Sequence, residues 1–170
     1  VELDDCALLT NVRLVGQEHL SSVSALGCGA LANFSVKDCA CNEIAFDIAA
    51  FEEPVRLLAF GAGSVGADCA NVNSVIAYPG ADTFLGWYQN GAPVSRSLCY
   101  YIESGGSFTA VFGGDTDGNG TVGAADALLA MRGALGLFTP EDTAMADVNS
   151  NGAVDAADAL LILRLSMGLL

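Results

Sequence analysis

Histidine is nearly absent from this chain, His19 being its one copy, and basic residues are few: six Lys and Arg stand against 20 Asp and Glu, for a net charge of −14 over 170 residues. So acidic a balance excludes nucleic acid and anionic membrane surfaces as partners, because both are held by clustered Lys and Arg. Charge of either sign is scarce as well. Only 15% of the residues are charged and 52% are hydrophobic, against about 25% charged in an average globular domain. Many of the apolar residues are alanines, which a surface tolerates, but the remainder predicts an extensive partner interface. A long apolar run is missing too: the best stretch, 160–170, is too short to cross a bilayer and contains Arg164, which excludes insertion by a helix. The chain opens at Val1 with no initiator Met, charged leader or leader-like apolar run, so an export signal is expected to have been removed already.

The six cysteines (Cys6, Cys28, Cys39, Cys41, Cys69, Cys99) all precede Gly113-Gly114, where residue usage changes, and two acid-rich loops follow it. Two units are therefore expected, 1–113 and 114–170. An even number of cysteines in an acidic, Gly-rich unit fits a disulfide framework formed outside the cytosol, and hence a secreted, extracellular or cell-surface protein. Zinc is disfavoured, since Cys39-Ala-Cys41 lacks zinc-knuckle spacing and His19 stands alone. Cys39 and Cys41, if on a strand, face the same side and need separate partners.

The loops are Asp115-Thr-Asp117-Gly-Asn119-Gly120-Thr121-Val122-Gly-Ala-Ala-Asp126 and Asp147-Val-Asn149-Ser-Asn151-Gly152-Ala153-Val154-Asp155-Ala-Ala-Asp158. Calcium takes roughly six to eight oxygen ligands in a flexible shell, and a tight loop supplies them from positions 1, 3, 5, 7 and 12. Here the side chains at 1, 3, 5 and 12 all carry oxygen, and position 7, Thr121 or Ala153, would give its carbonyl. Position 6 needs a sharp turn and is Gly120 or Gly152. Position 8, Val122 or Val154, is expected to pair across the loops as a short β-contact that seeds the core. Two Ca2+ ions are thus expected, coupled to folding of a unit too small to hold together on its core alone. Two EF-hand-type calcium loops with helices after them make this unit all-α. The stripes Leu128-Leu129-Met131-Leu135 and Leu160-Leu161-Leu163-Leu165 recur at helical spacing, so most of these residues are expected in the core.

Position 12 is Asp in both loops rather than the usual bidentate Glu. That choice, the Ala-Ala-Asp-Ala-Leu-Leu in each copy, Arg132 and Arg164, and Gly136-Leu137 with Gly168-Leu169 closely resemble type I-like dockerins over 115–170. The resemblance implies calcium ligands at Asp115, Asp117, Asn119, Thr121, Asp126, Asp147, Asn149, Asn151, Ala153 and Asp158. It also implies docking of a secreted protein onto a cohesin-like domain. Thr139-Pro-Glu-Asp between the loops reads as a helix start, with a Thr cap, Pro in the first turn and acids following. Many dockerins carry a Ser/Thr pair at loop positions 10 and 11, where this chain has Ala124-Ala125 and Ala156-Ala157. The near identity of the halves makes the module pseudo-symmetric, so a partner could bind in either of two orientations related by a half turn.

Before the boundary, short alternating runs broken by Gly, Asn and Pro predict a mostly-β unit, and Gln89-Asn90-Gly91 is a hairpin signal. The whole chain is therefore expected to be α+β. The stretch Phe84-Leu-Gly-Trp87-Tyr88-Gln-Asn-Gly91-Ala-Pro-Val94-Ser95, then Tyr100 and Phe108-Thr-Ala-Val-Phe112, resembles the end of the divergent internalin-type B-repeat over about 81–112. That likeness implies adhesion or assembly rather than catalysis.

Enzymatic readings are weaker. Gly61-Ala-Gly63-Ser-Val-Gly66 fits a dinucleotide fingerprint, but no amphipathic helix follows it. Ala62-Gly-Ser64-Val-Gly66 resembles a variant nucleophile elbow, yet His19 precedes the serine and the unit is small for that fold. Glu52-Glu53, Asp68 and Asp82 could pair for sugar hydrolysis, and the Tyr and Trp residues could stack on sugars, although Trp87 is expected in the core. The chain is accordingly expected to be no enzyme but a calcium-stabilised assembly protein. Its partner is a cohesin-like domain or another copy of itself, the latter giving a homo-oligomer, fibre or surface layer. A carbohydrate-binding or hydrolytic N-terminal domain is the third alternative.

Overall fold

The computed structural model describes residues 1–61, 63–70, 72–80, 84–119, 121–137, 143–149 and 151–169. Before the glycine boundary the chain runs through β1 (Asn11–Val15), β2 (Ser22–Ala25), β3 (Asn33–Lys37), β4 (Glu43–Phe46), β5 (Val55–Phe60), β6 (Gly63–Asp68), β7 (Ser74–Pro79), β8 (Phe84–Gln89), β9 (Ala92–Ser95), β10 (Cys99–Tyr101) and β11 (Gly106–Phe112). After it come α1 (Ala124–Ala134), α2 (Thr143–Ala146) and α3 (Ala156–Ser166). The mostly-β first part and helical second part give the expected α+β chain.

The strands form a five-stranded sheet in the order β1-β3-β6-β7-β10 and a six-stranded sheet in the order β2-β4-β5-β11-β8-β9. Alternation puts Val55 and Leu57 of β5, and Phe108, Ala110 and Phe112 of β11, on one face of the six-stranded sheet. There they share an apolar core with Phe34 and Val36 of β3 and Val65 and Ala67 of β6. Phe34 and Phe46 stack across this interior with ring centroids 3.9 Å apart, and Trp87 is fully buried, as expected. The hairpin also forms where the sequence places it. Asn90 (φ 52°) and Gly91 (φ 72°) join β8 to β9 in the left-handed conformation that a tight two-residue turn requires.

β11 is buried on both faces. Its inward residues meet the second sheet, while Val111 points the other way and joins Phe60, Leu85 and Tyr88 in a second apolar cluster with the helices. The helical side of that cluster is Ala127, Ala130, Ala146, Val148, Ala159, Ile162 and Leu165. Sheet, sheet and helices thus stack as layers. The Gly114 amide donates to the Met145 carbonyl at 2.7 Å. At the far end of α3, Gly168 lies so close to the β8–β9 turn that a Cβ added to Gly91 would sit 2.0 Å from the Gly168 Cα. Only residues without side chains fit there.

Three expectations are corrected. The helix stripes are only partly core: Leu128, Met131, Leu135 and Leu160 are exposed, whereas Leu165 is buried and Leu161 and Leu163 pack against the cluster that also holds Ala127, Ala130, Ala159 and Ile162. The buried alanines thus hold positions that hydrophobicity alone would give to leucine. Val122 and Val154 are half-buried against the second cluster and do not pair as a β-contact. The disulfide framework is not formed: all six cysteines are free thiols. Cys28, Cys39, Cys41 and Cys69 are buried in the sandwich core and behave there as small apolar residues. The Cys28 thiol donates to the Leu3 carbonyl at 3.1 Å, and Cys39 to Lys37 at 3.2 Å. Cys39 and Cys41 lie on the connection between β3 and β4, not on a strand. The Thr139-Pro-Glu-Asp helix start lies outside the described residues.

Candidate metal centre

Each loop closes on the aspartate that begins its following helix. In the first, Asp126 is almost fully buried; one carboxylate oxygen accepts from the Asp117 amide at 3.0 Å and the Thr116 hydroxyl at 3.2 Å, the other from the Gly123 amide at 2.8 Å. In the second, Asp158 is fully buried and accepts from the Asn149 amide at 3.2 Å and the Asp155 amide at 2.9 Å. A carboxylate in the first turn also favours the helix N-terminus. These bonds pin position 12 to positions 3 and 9 identically in both copies.

The rest of each loop wraps toward the same centre. Asp115 and Asp117 both accept from the Asn119 amide at 3.0 Å, and Asn119 from the Thr121 amide at 2.9 Å. In the second loop Asp147 accepts from the Asn151 amide at 3.1 Å and the Gly152 amide at 2.8 Å, Asn149 from the Asn151 amide at 3.0 Å, and Asn151 from the Ala153 amide at 2.9 Å. Gly152 holds φ at 87°, the left-handed turn expected of position 6; Gly120, its counterpart, lies outside the described residues. The carboxylate oxygens of Asp115, Asp117 and Asp126 come within 4.8 Å of one another.

Three acids so close, two of them buried, repel one another strongly unless a cation stands between them. Carboxylate, amide and carbonyl oxygens without sulfur or imidazole are the donor set of a hard divalent ion. The residues therefore fit calcium. The second loop offers two carboxylates, Asp147 and Asp158, with Asn149 in place of the first loop's Asp117.

The first loop borders the β-sheet. Burial raises the Tyr88 hydroxyl above its ordinary pKa, Arg96 opposes this and the nearby Asp115 carboxylate adds to it. Between the second loop and the sheets runs a groove of about 650 Å³ lined by Asn42, Phe60, Gly63, Tyr78, Asn149 and Leu161, among others.

The residues weighed for catalysis are dispersed. Gly63 to Gly66 lie within β6, in a strand rather than a phosphate-binding loop. Ser64 lines the groove just described, whereas His19 lines a different hollow beside Val1 and Leu14. Asp68 pairs with Lys37, and Asp82 lies outside the described residues. Glu52 and Glu53 sit in a bend before β5 and, with Glu103, line a hollow of about 410 Å³. Among the described aromatics named for sugar stacking, Tyr101 is the exposed one. No described helix is long and apolar enough to cross a membrane.

What sequence reasoning missed is the exposed face of the module. Leu128 and Met131 on α1 and Leu135 at its C-terminal cap follow one another at helical spacing, and Leu160, Met167 and Leu169 are exposed at or just beyond α3. The alternating Ala and Leu within each helix was the available signal, since two residue sizes at helical spacing separate a close-packed seam from an outer stripe. No curated protein and no solved structure matches the chain. A protein-family model does match residues 113–165, the boundary glycine through the last buried leucine of α3, and that segment is similar to the dockerin type I domain.

Proposed function

We propose that this chain is a non-catalytic, secreted assembly protein that binds two Ca2+ ions and uses its C-terminal module to dock onto a cohesin-like domain of another protein. The match to the dockerin type I domain supports protein docking in general. The observation that carries the fuller reading is the pairing of two acid-lined loops with exposed leucines on the helices that leave them. The ligands are Asp115, Asp117, Asn119, the Thr121 carbonyl and Asp126 in the first loop. In the second they are Asp147, Asn149, Asn151, the Ala153 carbonyl and Asp158. Each ion would replace repulsion among buried carboxylates with coordination and so fix the helix that follows. An exposed apolar stripe of this kind suits a protein surface.

A second reading is self-assembly, with the module contacting a neighbouring copy in an extracellular fibre or surface layer. The specific observation favouring it is that Ala124, Ala125, Ala156 and Ala157 are all exposed beside those leucines, so the polar contacts many dockerins make are lacking. Calorimetry against a type I cohesin, together with sedimentation of the protein alone, both in calcium and in chelator, separates the readings. Calcium-dependent one-to-one binding that Leu128→Asp weakens supports the first; calcium-dependent polymers without cohesin binding support the second. Calcium binding with neither outcome overturns both.

A further inference from the structure

The two loops are near copies in sequence but face different surroundings. At position 2 the first loop has Thr116, whose hydroxyl turns back into its own loop and donates to the Asp126 carbonyl at 3.0 Å. The second loop has Val148 there, almost fully buried and part of the apolar cluster that includes Phe60 and Val111 of the β-sheet. Both loops reach the sheet near Gly114, the first through the half-buried Val122 and the second through Val148, whose methyl lies 3.5 Å from where a Cβ on that glycine would sit, but only the second commits an almost fully buried side chain there. The next residue, Asn149, lines the groove against Gly63 and Tyr78. The backbone between these contacts is held by the loop itself: Asp158 accepts from the Asn149 amide, and Asp147 from the Asn151 and Gly152 amides. Whatever orders those acids orders Val148 and Asn149 against the sheet.

The loops also differ in charge. The first converges three carboxylates, the second two, because Asn149 replaces the equivalent of Asp117. Asp155, at position 9 of the second loop, is committed as a helix cap to the Ala157 amide at 2.6 Å. Carboxylate count is a main determinant of calcium affinity in loops of this kind. From these differences we infer that the two sites have separate tasks. The first is the tighter site that folds the module, and the second is a weaker calcium sensor that seats the folded module on the outer face of the six-stranded sheet. As calcium rises, α1 and its loop order first. Loading of the second loop then presses Val148 onto Phe60 and Val111, and the two halves of the chain move as one body. As calcium falls the module is released from the sheet before it unfolds, exposing Phe60, Val111 and Tyr88.

This inference rests on the proposed binding of calcium, and its test separates the two. The full chain is titrated with calcium by calorimetry while the NMR signals of the Val111 and Val148 methyls and the Phe60 ring, which share the apolar cluster, are followed. Two steps are expected, with contact between the Val148 methyls and the Phe60 ring arriving in the second. Asn149→Asp, which gives the second loop a third carboxylate, should move the contact step to about tenfold lower calcium and leave the first step in place. Val148→Thr, which copies the first loop's residue, should keep both binding steps but leave the Phe60 and Val111 side-chain signals as in chelator. If both steps are present and the contact accompanies the first, or if Asn149→Asp leaves the contact step unmoved, the division of tasks is overturned while calcium binding stands. Absence of any calcium step overturns both.

Discussion

Asp126 and Asp158 are the residues on which each loop depends, because each lies buried at a helix start and closes its loop through backbone amides. Asp126→Ala is expected to weaken calcium binding at the first loop by about a hundredfold, since it removes a ligand and a charge together; calorimetry with the second loop intact measures this. The cysteines give a test of a different kind. Burial pushes the Cys41 and Cys69 thiols up from 9.0 to about 11, so the folded state holds these protons more tightly than the unfolded state. Their contribution to stability is therefore complete below about pH 9 and is lost as pH rises toward 11. At pH 8, alkylation should label exposed Cys6 and Cys99 and spare Cys41 and Cys69 until denaturant is added. Six labels in denaturant without reductant is the expected count, and fewer would mean that disulfides form after all.

At the scale of elements, helices α1 and α3 each carry two kinds of apolar residue with opposite fates. Ile162 is fully buried in the cluster shared with the sheet, and Leu128 is exposed. Ile162→Ala should cost about 2–5 kcal/mol, whereas Leu128→Ala should change stability by less than about 0.5 kcal/mol. Urea unfolding in saturating calcium distinguishes them, and a large loss at Leu128 would place that stripe in the core after all. The β8–β9 turn makes a similar point. Its Asn-Gly sequence suffices to predict a hairpin, but not that Gly91 would face Gly168 across the two halves. Gly91→Ala strains a left-handed residue and drives a methyl into backbone, so a loss of more than about 2 kcal/mol is expected. The same measurement checks it, and a loss under about 1 kcal/mol would mean that α3 ends away from the turn.

For the whole molecule, the lack of charge noted in the composition has two structural destinations. Part of the apolar excess is spent internally, because β11 is covered on both faces, by the second sheet and by the helices. The rest remains outside on the module, at Leu128, Leu135, Leu160 and Leu169. A chain whose helical third is clamped to its sheet presents that outer surface in a fixed direction, which a flexible tether would not. Protease susceptibility around Gly113-Gly114 should therefore be low in calcium and rise in chelator, as followed by limited digestion. Cleavage at equal rates in both conditions would mean that the halves do not hold each other.

Much of this was legible in the chain itself. Loop positions, the asparagine-glycine hairpin, the helices after each loop and the β character of the first part are local matters. They depend on which oxygens lie within a few residues of one another, on which residues tolerate a left-handed turn, and on alternation along a strand. What the sequence could not decide was where each apolar surface would go. Leucine and alanine both count as apolar in a periodic pattern, and only the packing of the helices and sheet put Ala127, Ala130, Ala159 and Leu165 inside while Leu128, Leu135 and Leu160 stayed outside. Likewise an even number of cysteines reads as disulfides until a two-sheet interior is found in which four of them already have a place. The asymmetry between the loops was visible as Thr116 against Val148, but its meaning came from the sheet on which Val148 rests, a contact between residues far apart in the chain that no local pattern encodes.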